Sequence, residues 1–600
     1  MSIARAVIKK NLFNLSPETK TCQNCKKSFT IEPDDFLFYE KIKVPPPTWC
    51  PECRMARKMI WRNERALYRR KSDFSGEEII SQYSPESSFP VYGVQEFYER
   101  SWEIPSMEYD PLRSFFDQFQ KLIAKTPRCA LLTDLRSSGS GSMYQNAASR
   151  NKDCYMVFAS GDNEKCLYGS NVDYCRNSLD GLWVRDVHYS YECIDCVRAN
   201  QLFFSQDCDD CVESHFLFNC SNCTSCFGCV NLRNKSYCLW NKQLSRGEYN
   251  RRVQEILTGL SRQKISEFVK KIKDLALQFP RKYAHIDNQS SNSVLGDYIY
   301  NSRNVSRGFF IFESENIRNC SKIVRGKDCV DMTDWGDPAE LCYESITVGK
   351  GAFLVFFSNN CWPSCRELEY CDSCSSSQHL FGCVGLKNAS FRILNKQYSE
   401  EEYYALKEKI VYDMKFRGEY GEFFPSELSP FAYNETIAQE YFPLTKEEVL
   451  SRGYSWRDPG PKQYEITISA KNLSDNIKDV QDSILKETIG CSHQGTCTHQ
   501  CTSAFKIIPQ ELEFYRKMNL PLPRLCPNCR HYERLAKRNP LKLWHRKCHC
   551  AGEKSDNGRY QNQAQHFHGG GHCPNEFETS YAPERPEIVY CEQCYQNEVV

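Results

Sequence analysis

FGCVNLRNKSYCLWNKQLSRGEY (227–249) and FGCVGLKNASFRILNKQYSEEEY (381–403) agree at 13 of 23 positions, at a constant offset of 154 residues. The same offset brings Cys166 onto Cys320, Cys175 onto Cys329, Cys211 onto Cys365, Cys220 onto Cys374 and Cys229 onto Cys383. Residues 150–250 and 303–404 are therefore two copies of one module. Inside each copy, runs such as CYMVF, CLYGS, LWVRD and AFLVFF are separated by Asn, Asp, Ser and Gly. Short apolar runs between turn residues read as many short strands. Like positions recurring every 15–21 residues predict a coiled stack, a parallel β-solenoid, in preference to a sandwich. Cysteine, small and apolar as a thiol, suits the inward positions of such a stack. The competing reading of Cys220, Cys223, Cys226 and Cys229 is an iron–sulfur ligand run. The second copy keeps only Cys374 and Cys383 of those four positions, a loss that a cluster would not survive.

Each copy runs into a helix. Residues 245–279 carry apolar residues at three-to-four spacing and stop at Pro280. Residues 399–416 begin at Ser399, with Glu402 three residues on, the pattern of a capping box. Such helices would cover the open strand edges of the stack. Short helices are also expected at ETIAQEYF and KEEVLSRGY in 417–490, and around PLRSFFDQFQKLIAK in 72–128.

A second repeat joins the two ends of the chain. CQNCKKSFTIEPDDFLFYEKIKVPPPTWCPECR (22–54) and CTHQCTSAFKIIPQELEFYRKMNLPLPRLCPNCR (497–530) superpose at an offset of 476 from Cys25/Cys501 through Cys50/Cys526, Cys53/Cys529 and Arg54/Arg530. Two cysteine turns about 25 residues apart supply four thiolates at tetrahedral geometry, and soft sulfur favours Zn²⁺. The expected ligands are Cys22, Cys25, Cys50 and Cys53 at one end. At the other they are Cys497, Cys501, Cys526 and Cys529, with His499 or Cys491 as substitutes for Cys497. A third, shorter copy closes the chain with Cys550, Cys573, Cys591 and Cys594, where Cys548, His568 and His572 compete for the fourth place. Three four-ligand sites predict about three Zn²⁺ per chain, structural because no coordination position is left open.

The pattern C-x-x-C-x-x-x-F…F-Y…P-x-P-x-x-C-P-x-C-R resembles the probable zinc-ribbon, or treble-clef-like, domain of many bacterial proteins. The whole chain is similar to the large cysteine-rich zinc-ribbon proteins of candidate-phyla bacteria. The resemblance implies a zinc-stabilised fold and brings no activity with it.

Composition narrows the class further. Six hundred residues exceed one hydrophobic core, 35 cysteines are too many for an ordinary globular chain, and a net charge of +1 gives no global pointer to nucleic acid or membrane. An odd cysteine count cannot pair completely. No apolar run approaches a membrane span, and MSIARAVIKKNLFNLSPETK has no apolar signal core, so a cytoplasmic metalloprotein without membrane contact is expected.

Charge is uneven. Residues 1–75 hold sixteen Lys/Arg against eight Asp/Glu, and 497–547 hold eleven against three, leaving −15 for the remainder. After the second knuckle at each end, Arg54, Arg57, Lys58, Arg62, Arg65 and Arg69, and Arg530, Arg534, Lys537 and Arg538, recur at helical spacing with aromatics between them. Basic helices of that kind neutralise phosphates and stack bases, so RNA, DNA or a ribonucleoprotein is one expected partner. The alternative is that the same cations bind the acidic middle of the chain or a protein partner, including a second copy in a homo-oligomer. Phosphate-cradling glycine loops, nucleophile elbows and His-Glu-x-x-His are missing from the sequence. Asp328, Asp331, Asp334 and Asp337 form the one carboxylate row suggestive of glycan cleavage, and the first copy keeps only Asp180 of it, so no enzyme is expected.

The fold class expected is mainly β with α: a duplicated β-solenoid-like body, treble-clef-like zinc ribbons at both ends, and helical connectors. In chain order the segments are a zinc ribbon with its basic helix (1–71), a connector (72–128), module 1 (129–250) and a helix with linker (251–302). Module 2 (303–416), a helical connector (417–490), the second ribbon (491–547) and the third (548–600) follow.

Overall fold

From Tyr144 to Trp240 every third residue has a positive φ, Gly228 among them, in a computed structural model that describes residues 16–99, 102–133, 141–287, 289–458, 460 and 464–600. Left-handed backbone is costly for most side chains and cheapest for Gly, Asn and Asp. That is why Asp153, Asp162, Asn171, Asn177, Asp180, Asp186 and Asp195 punctuate the apolar runs. Two extended residues and one left-handed residue make one short side. From Gln145 to Cys229 the residue after each left-handed one is buried, as at Cys154, Val157, Ser160, Asn163 and Cys166.

The chain returns beside itself every 12 residues: Leu182 pairs parallel with Ser170, Asn200 with Val212 and Phe218 with Val230. The six strands from Asn146–Ser149 to Val212–His215 lie in chain order in one sheet. In the second copy the parallel offset is again 12 residues from Ser291/Arg303. It lengthens to 13 at Val330/Tyr343 and Phe353/Arg366, and returns to 12 at Arg366/Gln378. The repeat is thus 12 or 13 residues, shorter than the 15–21 expected. One turn consists of four three-residue sides, and the twelve cysteines from Cys154 to Cys238 keep that rhythm, each directly after a left-handed corner.

The inward side chains stitch successive turns together. Ser190 Oγ accepts the Leu202 N–H at 3.0 Å, and Cys229 Sγ accepts the Asn241 N–H at 3.4 Å, each twelve residues on. The same groups donate to carbonyls: Ser178 to Val187 O at 3.0 Å, Cys193 to Leu202 O at 3.2 Å, Cys374 to Cys383 O at 3.6 Å. Cysteine and serine alternate at these positions because both are small and both satisfy buried backbone groups. No cysteine is disulfide-bonded.

The shared Asn-Lys-Gln closes each stack. Asn241 bonds both the N–H and the carbonyl of Val230, and Asn395 does the same with Val384. A side-chain amide thereby replaces the next backbone turn. The chain then folds back in a short antiparallel pair, Cys238–Leu239 with Lys242–Gln243 and Ser390–Ile393 with Lys396–Gln397. Helices follow. Glu400–Arg417 starts at Ser399 with the capping box to Glu402, whereas 245–279 is two helices, Arg246–Thr258 and Arg262–Ala276, interrupted at Gly259–Ser261. The connector helices form at Phe115–Lys125, Ile437–Tyr441 and Lys446–Ser451.

The described residues group into two units, each discontinuous in sequence. One takes its residues from Met1–Ala130 and Ala284–Arg457, the other from Leu131–Tyr283 and Asp458–Val600. The N-terminal knuckles therefore belong with the second parallel stack, and the C-terminal cysteines with the first.

Candidate metal centres and their docking helices

In the first unit, the hairpin Glu18–Thr21/Ser28–Ile31 leads through a tight turn at Cys22–Lys27, with Lys26 in the left-handed region. The helix Pro51–Met59 starts at Cys50, with Pro51 in its first turn, where no amide hydrogen is needed. This brings the ligand atoms of Cys22, Cys25, Cys50 and Cys53 within 4.8 Å of one another. Zn–S bonds of about 2.3 Å at tetrahedral angles place sulfurs about 3.8 Å apart. Cys25 and Cys50 are 3.8 Å apart, as are Cys573 and Cys591, and Cys501 and Cys526 are 3.9 Å apart. The groups could hold metal ions, and their donors are compatible with zinc.

One hydrogen bond identifies equivalent ligands. The amide of the cysteine that opens the knuckle helix donates to a sulfur of the group: Cys50 N to Cys22 at 3.2 Å, Cys526 N to Cys491 at 3.3 Å, Cys591 N to Cys548 at 3.2 Å. Cys491 and Cys548 thus take the place of Cys22. The second group is Cys491, Cys501, Cys526 and Cys529, and the third is Cys548, Cys573, Cys591 and Cys594. With Cys491 and Cys548 held as alternatives, the expected sets placed Cys497 and Cys550 there. Both instead join further groups: His493, Cys497, His499 and Cys529, and Cys550, His566, His568 and Cys594. His572 is in neither.

The third group has a counterpart without cysteines. The strand Trp544–Lys547 pairs with Glu576–Thr579 as Tyr68–Lys71 pairs with Glu78–Ser81. Val589–Tyr590 pairs in parallel with Arg281–Lys282 as Val91–Tyr92 pairs with Arg128–Cys129. On that correspondence Ser72 stands for Cys548, Gly93 for Cys591 and Glu96 for Cys594. Glu96 accepts the Ser72 hydroxyl at 2.5 Å and the Gly93 amide at 2.6 Å, a hydrogen-bonded corner where the other unit gathers sulfur. The legible signal was Tyr-x-Pro-Glu…Val-Tyr, present at 83–92 and again at 581–590.

The basic helices face inward. Arg54 is bonded to Asp331 at 2.8 Å, Arg57 to Glu344 at 2.7 Å and Lys58 to Glu344 at 3.0 Å, and Arg62 pairs with Asp334. In the other unit Arg530 meets Asp180 at 2.6 Å, Arg534 the same carboxylate at 2.9 Å, and Arg538 meets Asp195 at 2.8 Å. All seven cations are buried. Their charge is neutralised inside the fold by carboxylates of the same unit. Of the remaining three, Arg65 is half-buried and interacts with Glu440, while Arg69 and Lys537 are exposed. Lys537 lies 3.9 Å from Glu192.

The carboxylate row is explained by the same packing. Asp328, Asp331 and Asp334 occupy successive left-handed corners. Asp328 pairs with Lys41 at 3.2 Å, Asp331 with Arg54, Asp334 with Arg62 and Lys322, and Asp337 with Arg325 at 2.5 Å. Burial raises the Asp331 carboxyl to about 6 against the pull of Arg54 and Lys58. Glu344 goes the other way: burial opposes its ionisation, yet Lys58, Arg57 and Arg54 together hold it down to about 2.

No helix among the described residues is long and apolar enough to cross a membrane. Compared with models of protein families and with curated proteins, the chain finds no match.

Proposed function

We propose that the chain is a non-enzymatic, zinc-stabilised scaffold of the cytoplasm, in which cysteine knuckles of zinc-ribbon type anchor basic helices onto two β-solenoids. The observation that carries this reading is the burial of Arg54, Lys58, Arg530 and Arg534 against Asp331, Glu344 and Asp180. A helix whose cations are neutralised within its own unit serves as a clamp, not as a phosphate reader. Parallel pairing at an offset of 12 or 13 residues, with stitched inward side chains, supports the solenoid. Cysteines held outside disulfides support a reducing compartment. The fully paired carboxylate row supports the absence of glycan chemistry. Partners of a scaffold are other protein chains, a second copy included.

The test is binding of labelled single- and double-stranded RNA and DNA to the full chain at low salt, where phosphate contacts are strongest. The expected result is no saturable binding, and an absorbance ratio of the purified protein typical of nucleic-acid-free material. Saturable, salt-dependent binding lost on charge reversal at Arg69 and Lys537 would overturn the scaffold reading in favour of a nucleic-acid one.

A further inference from the structure

We infer that the second unit carries two thiolate-bridged dinuclear metal centres, so that the chain binds five ions and not three. The inference deepens the metal-binding part of the proposed function and does not depend on the choice of partner.

Cys529 belongs to two ligand groups at once, one with Cys491, Cys501 and Cys526, the other with His493, Cys497 and His499. Its sulfur lies 3.9 Å from that of Cys491 and 3.7 Å from that of Cys497, tetrahedral edge lengths on both sides. Cys594 is shared in the same way, between Cys548, Cys573 and Cys591 and the group of Cys550, His566 and His568. Its sulfur is 3.4 Å from His568 Nε2, close to the roughly 3.5 Å that Zn–S and Zn–N bonds enclose at a tetrahedral angle. A deprotonated sulfur has lone pairs enough for two metal ions. Each assembly then offers five thiolates and two imidazoles to two divalent ions, leaving one net negative charge. The same donor set arises twice from unrelated spacings, His493-x-x-x-Cys497-x-His499 in one and Cys550…His566-x-His568 in the other.

The imidazoles are already oriented for coordination. His566 Nε2 sits 2.9 Å from Glu598 Oε1, both side chains wholly buried, while its Nδ1 is buried with no hydrogen-bond partner. A carboxylate behind a histidine fixes the tautomer that presents the other nitrogen to a metal. His568 Nδ1 meets Gly571 O at 2.9 Å, which frees Nε2 toward Cys594. In the other assembly, His493 Nδ1 and His499 Nδ1 are likewise buried without partners. Asn562 Nδ2 donates to Cys550 Sγ at 3.2 Å, a bond suited to a thiolate.

The experiment is metal quantification of the full chain by mass spectrometry, with zinc X-ray absorption on the same sample. The expected content is about five Zn²⁺ per chain, with a metal–metal distance of about 3.5–4 Å. The double variants His493→Ala/His499→Ala and His566→Ala/His568→Ala should each lose one ion. Combining them should leave three ions and abolish the metal–metal scattering. A wild-type content of three, or five without that scattering, would overturn the inference, whatever the stability of the variants. Nucleic-acid binding by the chain would overturn the scaffold reading and leave the ion count untouched.

Discussion

Cys226 shows what the central thiols do. It is fully buried, it accepts no metal partner in any ligand group, and its amide is held by Ser214 Oγ at 3.0 Å, twelve residues back. Its own sulfur donates to Thr224 O at 3.6 Å. Ser178, Ser190 and Ser205 make the same bonds from equivalent inward positions. Cys226→Ser should therefore cost no more than about 1–2 kcal/mol in denaturant unfolding and release no metal. Stoichiometric loss of an ion would assign these thiols to a cluster instead. The terminal cysteines differ because their sulfurs gather in groups of four ligand atoms within 4.8 Å of one another, whereas each central sulfur donates to a backbone carbonyl and meets other sulfurs only in smaller contacts.

The docking helix is the element on which stability turns. Asp180 is buried between Arg530 and Arg534, so Asp180→Ala takes a carboxylate from both and leaves Arg530 only Glu511, 3.4 Å away. Breaking a buried pair from one side costs about 3–5 kcal/mol, and unfolding of the unit should register that loss. Asp195→Ala, which strips one cation only, should cost less. A second prediction concerns pH. Burial raises Glu440 to about 7, with Arg65 pulling down and Asp334 pushing up. A carboxyl raised in the folded state favours folding fully below its unfolded value near 4.5, and that contribution fades as pH rises through about 7. Stability of the first unit should thus fall between about pH 5 and 8, by on the order of 3 kcal/mol from this group. Glu440→Gln should flatten that slope, as followed by denaturant midpoints across the range. An unchanged slope would remove Glu440 as its source.

At the scale of the molecule, the duplication was legible and the cross-pairing was not. The offset of 154 residues identified the two modules, and the Asn-Lys-Gln inside the quoted stretch proved to be the device that ends each stack. The offset of 476 residues identified the knuckles, but it led to Cys497 because nine residues separate Cys491 from Cys501 where two separate Cys22 from Cys25. That longer loop carries His493, Cys497 and His499, of which spacing named Cys497 and, as its substitute, His499, but not His493. Which ribbon meets which module could not be read from the repeats. The acidic partners do not sit at matching positions: Asp331, the partner of Arg54, matches Asn177, and Arg530 turns instead to Asp180. Charge complementarity was visible in bulk, and its pairing needed three dimensions.

The central claim is that the metal-held knuckles clamp their helices onto the parallel stacks. Amide hydrogen exchange of the full chain, before and after zinc chelation, tests it most directly. The account predicts slow exchange in Pro51–Met59 and Pro527–Leu535 in the intact protein, lost on chelation together with protection of the facing turns around Asp331 and Asp180. Helices that exchange freely while metal is bound, or facing turns that stay fully protected when the helices are released, would contradict it.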